Sequence, residues 1–210
     1  MFKEFQKIPR FYRDIIVTEK IDGTNAQVTI VDSRLEPDPA IAAAPVALIS
    51  DLAFAVYAGS RNRFLSVKDD NFGFARWVQE NAAGLSLLGP GEHFGEWWGS
   101  GIQRGYGLEK GQKRFSLFNV GRWTTDMNAP DEYELVPPVP GLGVVPVLFQ
   151  GAQINASGQD MVREALRKLE FSGSAAAPGF KKPEGVVVYH THARQYVGKV
   201  TLGNDGHKGA

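Results

Sequence analysis

The chain contains no cysteine, which excludes disulfides and thiolate zinc sites and fits a reducing, cytoplasmic setting. It has no run of about 18 apolar residues, so no membrane span is expected. Met1-Phe2-Lys3-Glu4 lacks the apolar stretch of a signal peptide. Charge excess is missing too: 23 Lys and Arg balance 23 Asp and Glu. A nucleic-acid binder usually carries a basic footprint, so any such surface here must be local. Two segments qualify, Lys3, Lys7, Arg10 and Arg13, and then Arg104, Lys110, Lys113 and Arg114. Each is equally well explained as a solvated face. The four histidines, His93, His190, His192 and His207, have neither zinc-finger nor metalloprotease spacing and read as surface or core residues. What remains is ordinary: 210 residues, 43% hydrophobic and 22% charged, suit a globular α+β chain with a substantial core.

The element pattern is strand-rich. Ile15-Ile16-Val17 reads as a strand that delivers Lys20, and Ala26–Val31 alternates as a strand expected to pair with it. Residues 33–45, with three prolines, read as a loop. Val46–Ile49, Ala53–Ala58, Glu92–Trp98 and residues 114–120 follow as strands, with a helix expected over 71–83 and a glycine-rich polar stretch over 100–112. Five prolines between Pro130 and Pro146 mark a connector too proline-dense to continue a sheet. A helix capped by Ser157 or Asp160 runs to Leu169, with Met161, Val162, Ala165, Leu166 and Leu169 on its apolar face. Residues 172–179 read as a flexible loop, and 184–189 and 196–201 as a closing strand pair. Antiparallel sheets flanked by a few helices are the expected architecture.

Chemistry-bearing residues sit at the strand ends. Lys20, in Glu19-Lys20-Ile21-Asp22-Gly23-Thr24-Asn25, is a candidate nucleophile. An amine attacks phosphorus only when deprotonated, so it needs a site that disfavours its charged form or aligns a departing phosphate beside a metal. Asp22 can orient such a site, and Gly23 allows close backbone approach. Lys-x-Asp-Gly alone also opens ordinary turns. Gly59-Ser60-Arg61-Asn62-Arg63 places an arginine fork after a strand, suited to a phosphate or ribose oxygen. Glu96 stands between Gly95 and Trp97-Trp98, where an acid needs a partner or an edge facing water. Phe118 fits a core position or a base-stacking platform. Glu184 opens the run Val186-Val187-Val188, and Lys199 lies in Tyr196-Val197-Gly198-Lys199-Val200.

Six such clusters in fixed order, from about Lys7 to Lys199, resemble the covalent nucleotidyltransferases, that is ATP-dependent RNA ligases, DNA ligases and mRNA capping enzymes. The Glu-Lys-x-Asp-Gly-Thr-Asn opening and the Ser-Arg-Asn-Arg box look most like RNA ligases of phage and bacterial type. The resemblance implies an α+β nucleotidyltransferase domain, ATP-grasp-like, with antiparallel sheets around a central ATP cleft. It also implies one adenylyltransferase domain over 1–210 with no separate C-terminal domain. Lys20 would form a lysyl-AMP and pass the AMP to an RNA 5′-phosphate, from which a 3′-hydroxyl displaces it. By the same resemblance Asp22 and Lys199 are catalytic, and Glu19, Ile21, Asn25, Arg61, Glu96, Phe118 and Glu184 hold the nucleotide. Glu96 would accept from the ribose and Phe118 stack on adenine. Glu184 would carry Mg²⁺ or Mn²⁺, and Arg61 and Arg63 would meet the RNA ends. Two departures stand out. Asn119 occupies a position where the family often has Asp, and Thr201 stands where many relatives have a second lysine. Either Lys199 suffices, or His207 or Lys208 substitutes. A small DNA ligase, or a silent nucleotide- or RNA-end-binding protein of the same fold, fits these residues as well.

Overall fold

The computed structural model describes Ile8, Arg10, residues 12–35, residue 41 and residues 43–203. His207 and Lys208 lie outside them. In chain order the strands and α-helices begin β1 (Asp14–Lys20), β2 (Thr24–Asp32), β3 (Ala47–Ile49), β4 (Phe54–Ser60) and β5 (Phe64–Leu65). Then come α1 (Phe74–Glu80), α2 (Ala82–Leu85), β6 (Gly91–Gly99), β7 (Lys113–Leu117), β8 (Trp123–Thr124), β9 (Glu134–Leu135) and β10 (Leu142–Val144). The chain closes with β11 (Val147–Ala152), α3 (Met161–Ser172), β12 (Gly185–His190) and β13 (Gln195–Thr201). It divides into two compact units, residues 1–21 with 146–210, and residues 22–145. No described helix is long and apolar enough to cross a membrane.

The first unit is a four-stranded antiparallel sheet in the order β11-β1-β12-β13. β1 is buried from Ile15 to Glu19, which explains its unbroken apolar run. Ile15, Val17, Val186 and Val188 form its core with Ala165 and Leu169 of α3. Of the two candidate caps, Asp160 is the one used. Its carboxylate accepts from the backbone N–H of Val162 at 2.9 Å and of Arg163 at 3.5 Å, satisfying donors that the first turn of a helix leaves open.

The second unit is a mixed sheet in the order β10-β7-β6-β2-β4-β3. Ala26, Val28 and Ile30 alternate onto the face that packs with Val56, Ala58, Trp97 and Phe115 and with Phe74, Ala75 and Val78 of α1. Phe74, Trp77, Trp97 and Phe115 pack with ring centroids 5.1–5.9 Å apart. The helix expected over 71–83 breaks at Asn81, whose φ of −111° is non-helical, and resumes as α2.

Two strand expectations are corrected. β2 does not pair with β1 but with β4 and β6. Asp-Gly between apolar runs is the usual hairpin signal, yet here the Asp22 N–H donates to the Tyr106 hydroxyl at 2.8 Å and the Gly23 N–H to Glu96 Oε1 at 3.0 Å. The proline-rich connector does enter the sheet, because residues 141–145 are free of proline. Leu142–Val144 adds a parallel edge strand to β7, a position where neighbouring prolines are tolerated.

Candidate active site

β1 ends at Lys20, half-buried in register with Gly185 of β12. The Lys20 ammonium donates to Glu184 Oε2 at 2.5 Å, with side-chain exposures of 21% and 15%. Sequence separation of 164 residues is bridged because β12 runs antiparallel beside β1, so its first residues meet the last of β1. Gly185 has φ +155°, and a Cβ there would strike the backbone of Val200, so only glycine fits opposite Lys20.

Strand alternation puts Glu19 on the other face. Its side chain is 1% exposed and fully engaged. Oε1 accepts from Ser174 Oγ at 2.6 Å, and Oε2 from the N–H groups of Ala175 at 2.7 Å and Ala176 at 2.9 Å. Ser174 is itself buried and accepts from Ala177 N–H at 3.0 Å. The expectation of a flexible loop over 172–179 is therefore corrected. Its small residues let the backbone close on a carboxylate that would otherwise be buried without partners. Ile21 is buried at 3% exposure.

Lys199 lies exposed in β13 opposite Val187, which is opposite Thr18 of β1. Lys199 thus shares the sheet face of Lys20. Thr201 faces Gly185 directly, so Lys20, Gly185 and Thr201 form one row across three strands, with the outer Cα atoms about 10 Å apart. The departure at Thr201 falls in the row of the candidate nucleophile.

The second unit carries the other residues. Asp22 is held twice, its N–H by Tyr106 and its Oδ2 by the Arg104 Nε at 2.8 Å. Tyr106 is 2% exposed, sits edge-on to Trp98 at 5.2 Å, and has φ +52°. Such a conformation in a non-glycine residue persists only where the surroundings fix it. The expected reason for Gly23 is refined: a Cβ there would overlap the Trp97 carbonyl and lie 2.8 Å from Trp98 Cβ, so its close approach is to β6. Glu96 is on an interior strand, half-buried, in register with Asn25 of β2 and Ser116 of β7. The alternative of an edge glutamate facing water is thereby removed.

Phe118 lies half-buried one residue beyond β7, which ends at Leu117. Its N–H donates to the Phe94 carbonyl at 2.9 Å, which continues the β6–β7 register by one pair, while its half-buried ring is not among the core side chains of either unit. Arg61 is exposed in the turn between β4 and β5 and has no ion pair among the described residues. Arg63 grips Asp69 with both terminal nitrogens at 2.7 and 3.0 Å. Burial pushes the His93 imidazole below its usual range, with Nε2 at 2.9 Å from the Gly89 carbonyl. Sequence reasoning named Arg104 only as part of a basic segment and not as a partner of Asp22, and it missed Ser174 and Tyr106. A tyrosine between Gly105 and Gly107 was the available signal for Tyr106.

A metal fits only in a limited way. Among the described residues no group of three or more acidic, histidine or cysteine side chains is placed to hold one. Glu184 alone matches the habit of Mg²⁺, which takes one or two carboxylates and completes its shell with phosphate and water oxygens.

These arrangements coincide with a family assignment. The family model described as RNA ligase matches residues 13–201. The chain belongs to the RNA ligase family. Among solved structures, an RNA ligase of Naegleria gruberi in its apo form is similar with a TM-score of 0.50 and 17% identity, over 90% of this chain and 49% of that one. At that identity the likeness is one of fold. The chain spans about half the length of that solved ligase. No curated protein sequence matches it. The mixed sheets with few helices are thus an architecture shared with an RNA ligase.

Proposed function

We propose that this chain is an ATP-dependent ligase that joins RNA 5′-phosphate and 3′-hydroxyl ends through a lysyl-AMP on Lys20. One observation carries the reading: in a chain of the RNA ligase family, Lys20 at the end of β1 is ion-paired with Glu184 at 2.5 Å. Lys20 Nζ attacks the α-phosphorus of ATP, an N–P bond forms, and the P–O bond to pyrophosphate breaks. The amine must first lose its proton to solvent, and a cation taking Glu184 Oε2 from the ammonium would favour that loss. The AMP then moves to the RNA 5′-phosphate, regenerating the amine, and the 3′-hydroxyl expels it as the phosphodiester forms.

The rest of the site positions groups and balances charge, which is most of what phosphoryl transfer asks of a protein. Mg²⁺ or Mn²⁺ on Glu184 would neutralise phosphate charge. Lys199, on the Lys20 face, would meet the phosphates. Glu96, which has an oxygen on the Gly23 N–H, would take ribose hydroxyls. Phe118 would stack on the base, with Ile21 and Asn25 at the nucleotide. Arg61 would take an RNA phosphate, with Arg63 a weaker candidate because Asp69 holds its fork. The Glu19 side chain orients the strand end through its loop. The cysteine-free composition fits a cytoplasmic enzyme.

Thr201 in the Lys20 row favours a second reading, a silent binder of nucleotides or RNA ends. An end-joining assay separates the two. With ATP, a divalent metal and RNA carrying a 5′-phosphate and a 3′-hydroxyl, the ligase gives joined product, and Lys20→Ala gives none. A folded wild type that binds RNA and ATP yet joins nothing would support the silent reading.

A further inference from the structure

The basic segment around Lys113 and Arg114 has no part in the residues discussed so far, and in the second unit it meets a cavity. That cavity measures about 580 Å³ and is lined by Arg76, Trp77, Lys113 and Arg114 together with Glu80 and Asn81. It lies on the α1 side of the sheet. Trp97 also lines it, and Trp97 alternates with Glu96 along β6, so the cavity opens on the face away from Glu96. Its volume is within the usual range for a bound small molecule or nucleotide.

Two cations, Arg76 and Lys113, and one carboxylate define its charge, in a chain that carries no net charge overall; the Arg114 guanidinium lies over Trp98 at 5.4 Å, on the other face. Arg76 is exposed and has no ion-pair partner among the described residues. The Lys113 ammonium donates to the Phe72 carbonyl at 2.5 Å, which fixes it at the rim and leaves it two further donors. Trp77 supplies a half-buried indole whose Nε1 is anchored on the Pro140 carbonyl at 3.1 Å. Asn81 Nδ2 bonds the Trp77 carbonyl at 2.8 Å. A rigid aromatic wall beside fixed and free cations is what a nucleotide requires, because phosphate is recognised by charge and a base by stacking.

We infer that this cavity is a second nucleotide-phosphate site that seats one nucleotide of a single-stranded RNA on the face of the sheet away from Glu96. It deepens the RNA ligase reading and rests on it. It gives a neutral chain the local basic contact that RNA binding needs.

The test measures binding of a fluorescein-labelled single-stranded RNA to the full chain carrying Lys20→Ala, so that no adenylation intervenes, and repeats it with Arg76→Glu added. The expected result is about tenfold weaker binding and a salt slope smaller by about 0.7, the value of one single-strand phosphate contact. Arg76→Lys should restore most of both. Trp77→Phe, which keeps the packing, should reduce the quenching of tryptophan emission by RNA. With Lys20 intact, Arg76→Glu should still form the AMP adduct, which separates this site from the reaction centre. AMP is titrated in parallel: Arg76-dependent binding of AMP but not RNA would keep the nucleotide-phosphate chemistry and assign it to a free nucleotide. Unchanged affinity for both ligands and an unchanged salt slope in Arg76→Glu would overturn the site. So would loss of the adduct in that variant, because the cavity would then not be separable from adenylation.

Discussion

Among the described residues of the first unit six buried side chains form the core, and the groups around Lys20 are fastened by hydrogen bonds: Glu19 to the Ser174 hydroxyl and the backbone of Ala175 and Ala176, Lys20 to Glu184. Among the described residues of the second unit nineteen buried side chains form the core. There Asp22, Gly23 and Glu96 are set against a framework of Trp97, Trp98, Phe74 and Phe115. One unit therefore holds its reactive end by polar connections with little apolar area behind them, and the other by packing. Polar fastening fixes direction, since a hydrogen bond is lost with a modest change of angle. Packing fixes position and supplies most of the stability. Loss of a framework ring in the second unit should accordingly cost more stability than loss of a polar restraint in either unit.

The largest stability effect should come from Phe74→Ala. This ring is fully buried among Trp77, Trp97 and Phe115, and its loss should cost about 3–5 kcal/mol in urea unfolding. A cost near 1 kcal/mol would mean that the aromatic cluster is not the framework described.

Glu19→Ala comes next. It strands the Ser174 hydroxyl and two N–H donors, at a cost of about 1–3 kcal/mol. The specific mark is local: amide exchange at Ala175 and Ala176 should accelerate far more than at Val28 or Val56. Uniform acceleration would show that Glu19 contributes only global stability.

Tyr106→Phe removes one acceptor and keeps the ring. We expect about 1 kcal/mol or less of lost stability, together with slower adenylation at saturating ATP, because Asp22 loses one of its two restraints. A change confined to ATP affinity would contradict a positioning role.

The smallest effect is on pH dependence. His93 is depressed by burial below its ordinary value near 6.5. The unfolded chain therefore takes up the proton first as pH falls. Stability from the neutral imidazole is fully present above about 6.5 and is lost as pH drops through the folded value. His93→Gln should flatten this part of the stability–pH curve. An unchanged slope would show that the histidine is hydrated and ordinary.

The same contrast explains what the sequence made legible. Local signals were readable: the apolar run into Lys20, the Asp160 cap, the alternation of Ala26, Val28 and Ile30. Connections made at a distance were not. Residues 172–179 look unconstrained because their anchor, Glu19, lies some 155 residues away. Asp22-Gly23 looks like a hairpin turn because Tyr106 and Glu96, which claim its N–H groups, are remote in sequence. β11 is not legible locally, since the apolar run Val147-Leu148-Phe149 is only three residues long and is closed two residues on by Gly151, a residue that usually weakens a strand. At the candidate site the residue types were readable and their partners were not. Glu184 could be named from its place before a β-branched run, but its pairing with Lys20 required the β1–β12 register.

The most direct test of Lys20 as the reactive amine is intact mass after incubation with ATP and Mg²⁺ or Mn²⁺, compared with Lys20→Ala. The account predicts a gain of one AMP on the wild type, stable to denaturation and absent from the variant. Wild-type protein that is folded, free of pre-bound AMP and unlabelled with either metal, or a Lys20→Ala variant that still gains the AMP, would contradict it.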